Sequence, residues 1–159
     1  MSERQNKPRE FWSTPIGFLP LQRAIFVAGD ATVEEAIRLM QERGKGCVCV
    51  QSNGGIEGIF TERDVMHKFV EQSLANDTPI QAVMTPDPVM VSPAAPLSEA
   101  IEIFHDRGFH HLPVGDPDGG VDGLLSVRVV VDYVAENLPG DVLNLPPDSS
   151  IVSREADGG

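Results

Sequence analysis

Long apolar runs are missing from this sequence: no stretch approaches the roughly 20 residues that cross a bilayer. The opening MSERQNKPRE is polar with mixed charge rather than a basic region feeding an apolar one, so a cytoplasmic protein with no membrane partner is expected. Cysteine is scarce. Cys47 and Cys49 sit at i and i+2 in an apolar run, so on a strand they share a face and cannot bridge distant parts of the fold. Two thiols fall short of a metal site; buried strand residues in a reducing compartment are the expectation. Cations are in short supply too, with 12 Lys and Arg against 24 Asp and Glu and a formal net charge of −12. That excess repels a phosphodiester backbone and excludes general nucleic-acid binding. Arg4, Lys7, Arg9 and Arg23 make the N-terminal arm mildly basic, and one local cluster of donors can still hold a small anion.

What is present is a repeat. With 159 residues and 41% hydrophobic content, the chain suffices for one compact domain or two very small ones. ATVEEAIRLMQERGKGCVCV (Ala31–Val50) aligns without gaps on APLSEAIEIFHDRGFHHLPV (Ala95–Val114), and GIFTERDV (Gly58–Val65) on GLLSVRVV (Gly123–Val130) after a one-residue adjustment in a turn. Thr32 or Ser98 precedes or opens a helix with apolar residues at helical spacing (Val33, Ala36, Ile37, Met40; Leu97, Ala100, Ile101, Phe104), and Gly44 or Gly108 ends it. Two β-rich runs follow in each copy, Cys47–Gln51 with Ile56–Thr61 and His111–Val114 with Val121–Ser126. SNGG and DPDGG between them suit antiparallel reversals. Second helices are predicted from about Asp64 to Leu74 and from about Arg128 to Leu138. One such unit buries too little surface alone, so two copies are expected to pack sheet against sheet, with the functional surface where they meet.

The order of VMTPDPVMVSPAAPLSEAI (Val83–Ile101), RGFHHLPV (Arg107–Val114) and GIFTERD (Gly58–Asp64) resembles a tandem pair of CBS domains. Such paired modules occur in inosine monophosphate dehydrogenase, chloride channels, the AMP-activated kinase γ subunit and many small bacterial proteins. The resemblance covers about Ala24 to Leu138. It implies an α+β fold of two β-α-β-β-α repeats packed sheet to sheet about a pseudo-two-fold axis. The divisions expected are an arm at 1–23, repeats at 24–76 and 77–138, and a tail at 139–159.

Thr61 and Asp64 stand three apart at a strand-to-helix junction, where both side chains can face one cleft. Thr61 offers a donor and an acceptor, and the Asp64 carboxylate can hold the two hydroxyls of a ribose. The helix that begins nearby aims backbone N–H groups at the same mouth, which favours an anion. The tetrad by itself favours a plain helix cap. The resemblance implies more: ribose on Asp64 and Thr61, base against Ile59, Thr85, Val89 and Phe109, and phosphates near His110, His111 and Arg63. It further implies a non-catalytic regulatory module that binds AMP, ADP or ATP, needs no cofactor, and forms a homodimer acting on a protein effector. A ligand-free dimerisation module and a sensor of S-adenosylmethionine or an NAD-type ligand are the alternatives.

The twin site departs from the pattern. Ser126 keeps the hydroxyl, but Val129 stands where the aspartate belongs and Gly46-Cys47 replaces His110-His111. Ribose hydroxyls left unpaired there cost about 1–3 kcal/mol, so this pocket is expected to be empty or structural. A metal-dependent hydrolase built from Asp64, His67, His105, Asp106, His110 and His111 is opposed by geometry, since neighbours on a strand point to opposite faces. In the flanks, Glu10–Leu21 is broken by Pro15 and Pro20, cannot form a long helix, and is expected to lie over the body or a partner subunit. The tail from Pro139 is rich in Pro, Gly, Asp and Ser, and its end is expected to be disordered.

Overall fold

The computed structural model describes residues 12–137. Arg4, Lys7, Arg9, Glu10, Phe11, Leu138 and the tail from Pro139 lie outside the described residues. Strand β1 (Phe26–Ala28) leads into helix α1 (Val33–Arg43), then β2 (Cys47–Ser52) and β3 (Gly55–Thr61). Helical segment α2 is one α-turn, Glu62–Asp64, continued as a π-helix over Val65–Val70. The second half supplies β4 (Thr85–Pro86), α3 (Leu97–Arg107), β5 (His111–Asp116), β6 (Gly120–Ser126) and α4 (Val127–Asn137).

Local chemistry explains the boundaries. Thr32 caps α1 through a reciprocal pair: its Oγ1 accepts from the Glu35 N–H at 3.1 Å, and Glu35 Oε2 accepts from the Thr32 N–H at 2.8 Å. α3 starts after Pro96 without a side-chain cap, and Ser98 lies inside its first turn. Both helices stop at glycines in the left-handed conformation, Gly44 (φ 60°) and Gly108 (φ 65°). Two expected helices shift. α2 begins at Glu62 because Thr61 is its cap, and ends at Val70 rather than Leu74, ahead of a turn in which Ser73 takes φ 51°. α4 starts at Val127 because the Ser126 hydroxyl accepts from the Val129 N–H at 3.2 Å.

The strands make a sheet ordered β1-β2-β3-β4 and a hairpin β5-β6. β4 belongs in sequence to the second repeat, yet pairs antiparallel with β3, Gly58 opposite Pro86 and Ile59 opposite Thr85. Reciprocally, Gln22 precedes the first repeat but bridges Leu124 of β6. The expected leading strand of the second repeat shrinks to one parallel bridge, Val91 to Val114. Pro88 and Pro93 flank it and supply no N–H for a longer ladder.

The exchange between halves reaches further than these strands. Ile16 N–H donates to Ala95 O and Leu97 N–H to Thr14 O, each at 2.8 Å. Ile80 N–H donates to Ala31 O at 2.7 Å and Val33 N–H to Thr78 O at 2.9 Å. These are the same bonds related by the pseudo-two-fold, and Thr14-Pro15-Ile16 repeats as Thr78-Pro79-Ile80 at the spacing that separates Ala31 from Ala95. Ile16 and Leu19 are buried in the core of the second repeat, with Leu97, Ala100, Leu112 and Leu125. Ile80, Val83 and Met84 are buried in that of the first, with Val33, Ala36, Val48 and Phe60. Burying Ile16 or Ile80 contributes about 1.5–3 kcal/mol each, so each half is stabilised by a piece of chain leading into the other. The expectation that Glu10–Leu21 lies over the body holds for its described part.

The sheets meet through Cys47, Cys49, Ile59 and Leu124. The cysteines do share a face and are free thiols; burial pushes both up to about 12.

Candidate ligand-binding cleft between the repeats

Where β3 runs into α2, the chain turns so that Thr61 Oγ1 accepts from the Asp64 N–H at 3.2 Å while Asp64 Oδ2 accepts from the Thr61 N–H at 3.0 Å. The tetrad is therefore a cap, as its spacing alone allows. It also opens onto a cleft. Asp64 Oδ2 lies 3.2 Å from Thr61 Oγ1, and Asp64 Oδ1 pairs with Lys68 Nζ at 3.2 Å. Lys68 Nζ further donates to Val83 O at 2.8 Å and to Thr85 Oγ1 at 3.4 Å. One ammonium thus ties the Asp64 carboxylate to the strand that crosses from the other repeat. Gly58 makes that crossing possible, because a Cβ there would run into the Met84 side chain and stand 3.0 Å from Thr85 O. The π-helical continuation begins immediately after Asp64, and such widened turns are frequent beside ligand sites.

The cleft encloses about 420 Å³. Every residue that the resemblance implied lines it: Ile59, Thr61, Arg63 and Asp64 from β3 and α2, Thr85 and Val89 from the crossing segment, and Phe109, His110 and His111 at the start of β5. Gly46, Glu62, Asp87, Arg107 and Pro113, which the sequence reading did not select, line it as well. The apolar share comes from Ile59, Val89 and Phe109. The cations are Arg63, whose Nη1 reaches Gly108 O at 3.5 Å, and Arg107. Burial holds the His111 imidazole below the usual histidine range; the Glu62 carboxylate opposes that shift and His110 adds to it. Gly46 supplies the room for His111, whose Nε2 stands 3.0 Å from the point a Cβ on Gly46 would occupy.

The other junction repeats the backbone and not the chemistry. Val127 N–H donates to His110 O at 3.0 Å as Glu62 N–H donates to Gly46 O at 2.9 Å. Ser126 is buried and caps α4, and Val129 packs against the core of the second repeat. Gly46 forms part of the first cleft, and Cys47, the counterpart of His111, is fully buried.

The metal-hydrolase alternative finds no assembled ligands: among the described residues no group of three or more His, Cys, Asp or Glu is placed to hold a metal. His67 faces Glu71 at 3.3 Å on α2, and His105 lines an apolar groove beside α3 and α4. Among the described residues no helix is long and apolar enough to cross a membrane.

Two exchanged β-α-β-β-α halves with a cleft at one of two related junctions define a paired-repeat module. The family model of the CBS domain matches residues 18–71 and again 80–136, and the chain belongs to the CBS domain family. It is 28% identical over 117 residues to an uncharacterised 17.7 kDa protein of Acidianus ambivalens, covering 73% of this chain and 70% of that one. It is 31% identical over 125 residues to the CBS domain-containing protein CBSCBSPB3 of Arabidopsis thaliana, covering 76% of this chain but only 22% of that protein. A CBS domain protein from Pyrobaculum aerophilum, solved in complex with AMP, superimposes with a TM-score of 0.67 at 19% identity, over 76% of this chain and 98% of the other.

Proposed function

We propose that this protein is a non-catalytic regulatory module that binds an adenine nucleotide (AMP, ADP or ATP) in the cleft between its repeats and signals occupancy to a partner protein. The observation that carries the reading is the meeting in one cleft of the Thr61 and Asp64 pair, an apolar wall of Ile59, Val89 and Phe109, and the donors Arg63, His110 and His111. A carboxylate has about four lone-pair sites. Asp64 spends three of them on the Thr61 N–H, the Thr61 hydroxyl and Lys68; one ribose hydroxyl takes the fourth, and a second takes the place of the Thr61 hydroxyl, which rotates toward the ligand. The base stacks on Phe109 between Ile59 and Val89, with Thr85 at its edge, and the phosphate end lies toward Arg63, His110 and His111. The AMP complex of the Pyrobaculum aerophilum protein supports the ligand class.

In this reading the protein works in the cytoplasm as a homodimer. Met66, Val70 and Val131 are more than half exposed on the helices, and covering them with a second copy would bury apolar surface. The test is calorimetric titration of folded, ligand-free protein with AMP, ADP, ATP, S-adenosylmethionine and NADH. Heat with an adenine nucleotide is expected; no heat with any of them removes the sensor and leaves a scaffold.

A further inference from the structure

The cleft wall offsets its cations with acid, where a site for a highly charged phosphate chain would carry a surplus of cations. Glu62, Asp64 and Asp87 face the cavity against two arginines, Arg63 and Arg107. Asp64 is matched by Lys68, which leaves Glu62 and Asp87 to offset the two arginines and gives the wall no surplus of positive charge. Glu62 sits at the end where the phosphates would lie. Its Oε2 is 3.4 Å, and His111 Nε2 3.0 Å, from the single point a Cβ on Gly46 would occupy. The carboxylate and the imidazole thus flank one spot in the cleft. The related junction carries neither acid: Val127 stands where Glu62 would and Arg23 where Asp87 would. The acids therefore belong to this cleft and not to the repeat as such.

From this we infer that Glu62 and Asp87 set the charge selectivity of the site. It takes an adenosine whose 5′ end carries one phosphate, or a neutral or cationic group, in preference to a metal-free triphosphate. The inference rests on the adenine-nucleotide reading above and narrows it. A triphosphate brings about two more negative charges than a monophosphate. Glu62 and Asp87 are exposed at the cleft, and a carboxylate close to a bound phosphate chain repels each added charge over less than a Debye length, an effect that weakens as salt rises. A sulfonium or an uncharged thioether at the 5′ carbon meets no such opposition. Asp87 lies at φ 48°, a conformation that asparagine tolerates, so both acids can be neutralised without changing shape.

The experiment is titration of the full-length chain, in EDTA and at fixed ionic strength, with AMP, ATP, S-adenosylmethionine and methylthioadenosine, repeated on Glu62→Gln and Asp87→Asn. In the unaltered protein ATP is expected to bind about tenfold or more weakly than AMP. Each substitution should improve ATP binding more than AMP binding, and AMP binding more than methylthioadenosine binding. ATP binding as tightly as AMP, or an ATP to AMP ratio that neither substitution moves, overturns the inference while leaving nucleotide binding intact. Silence with all four ligands on folded, ligand-free protein overturns the functional reading itself, and the selectivity with it.

Discussion

Because Asp64 Oδ2 already accepts from the Thr61 backbone N–H at 3.0 Å, replacing it with alanine removes a helix cap together with a ligand contact. Asp64→Ala should therefore lower stability by about 1 kcal/mol and weaken adenine-nucleotide binding by tenfold or more, about 1.5–3 kcal/mol. Asp64→Asn separates the two effects. The amide oxygen can still cap, so thermal unfolding should stay near that of the unaltered chain while calorimetry shows the loss of affinity. A second residue-scale effect follows from His111. Its folded-state pKa lies below the ordinary value because burial disfavours the imidazolium, while the unfolded chain titrates near about 6.5. Between the two values the unfolded state holds the extra proton, so stability falls as pH drops through that window, and above it the contribution is constant. Urea unfolding from pH 7.5 down to pH 5 should show a decline that is reduced in His111→Gln; an identical decline in both proteins would assign it to other groups.

Among the elements, the two exchanged crossings depend on glycine. A Cβ on Gly58 would meet Met84 and Thr85 O, and one on Gly123 would stand 2.9 Å from Leu21 Cβ and 3.1 Å from Gln22 O. Gly58→Ala and Gly123→Ala should each destabilise by about 1–3 kcal/mol through overpacking, measured as a lower urea midpoint at unchanged slope. Gly58→Ala should also weaken ligand binding, since it displaces the strand bearing Thr85, whereas Gly123→Ala should not. The helices and hairpins were legible because apolar spacing, Thr32, Gly44, Gly108 and the SNGG and DPDGG turns all express local chemistry. The exchanged segments were hidden. Pro15 read as a break and Pro79 carried no signal, and it is the matched bonds of the two segments that show Thr-Pro-Ile, repeated at the common spacing, to belong to the repeat. In the cleft, Thr61 and Asp64 could be reasoned from residue types, while His110 and His111 came through resemblance. Lys68 was signalled by its i,i+4 relation to Asp64 and overlooked. Asp87 and Arg107 face the cavity for reasons of backbone path that no pattern in the sequence expresses.

At the scale of the whole molecule, a nearly symmetric backbone carries an asymmetric chemistry. The bonds that join the halves come in matched pairs, yet one junction offers a carboxylate and imidazoles to a cleft, and the other offers Val129 and a buried thiol. A sensor acts by binding two conformations or complexes unequally, and under the proposed function that difference enters through one side only. Restoring a carboxylate with Val129→Asp puts a charge beside the core of the second repeat. Thermal unfolding should therefore fall by several degrees in the absence of ligand and recover on adding AMP if the junction then binds it. The most direct test of the account is the stoichiometry of AMP binding to the unaltered, ligand-free chain by calorimetry. One molecule per chain is predicted; two equivalent sites per chain, or saturable binding that survives undiminished in Asp64→Ala, would contradict it.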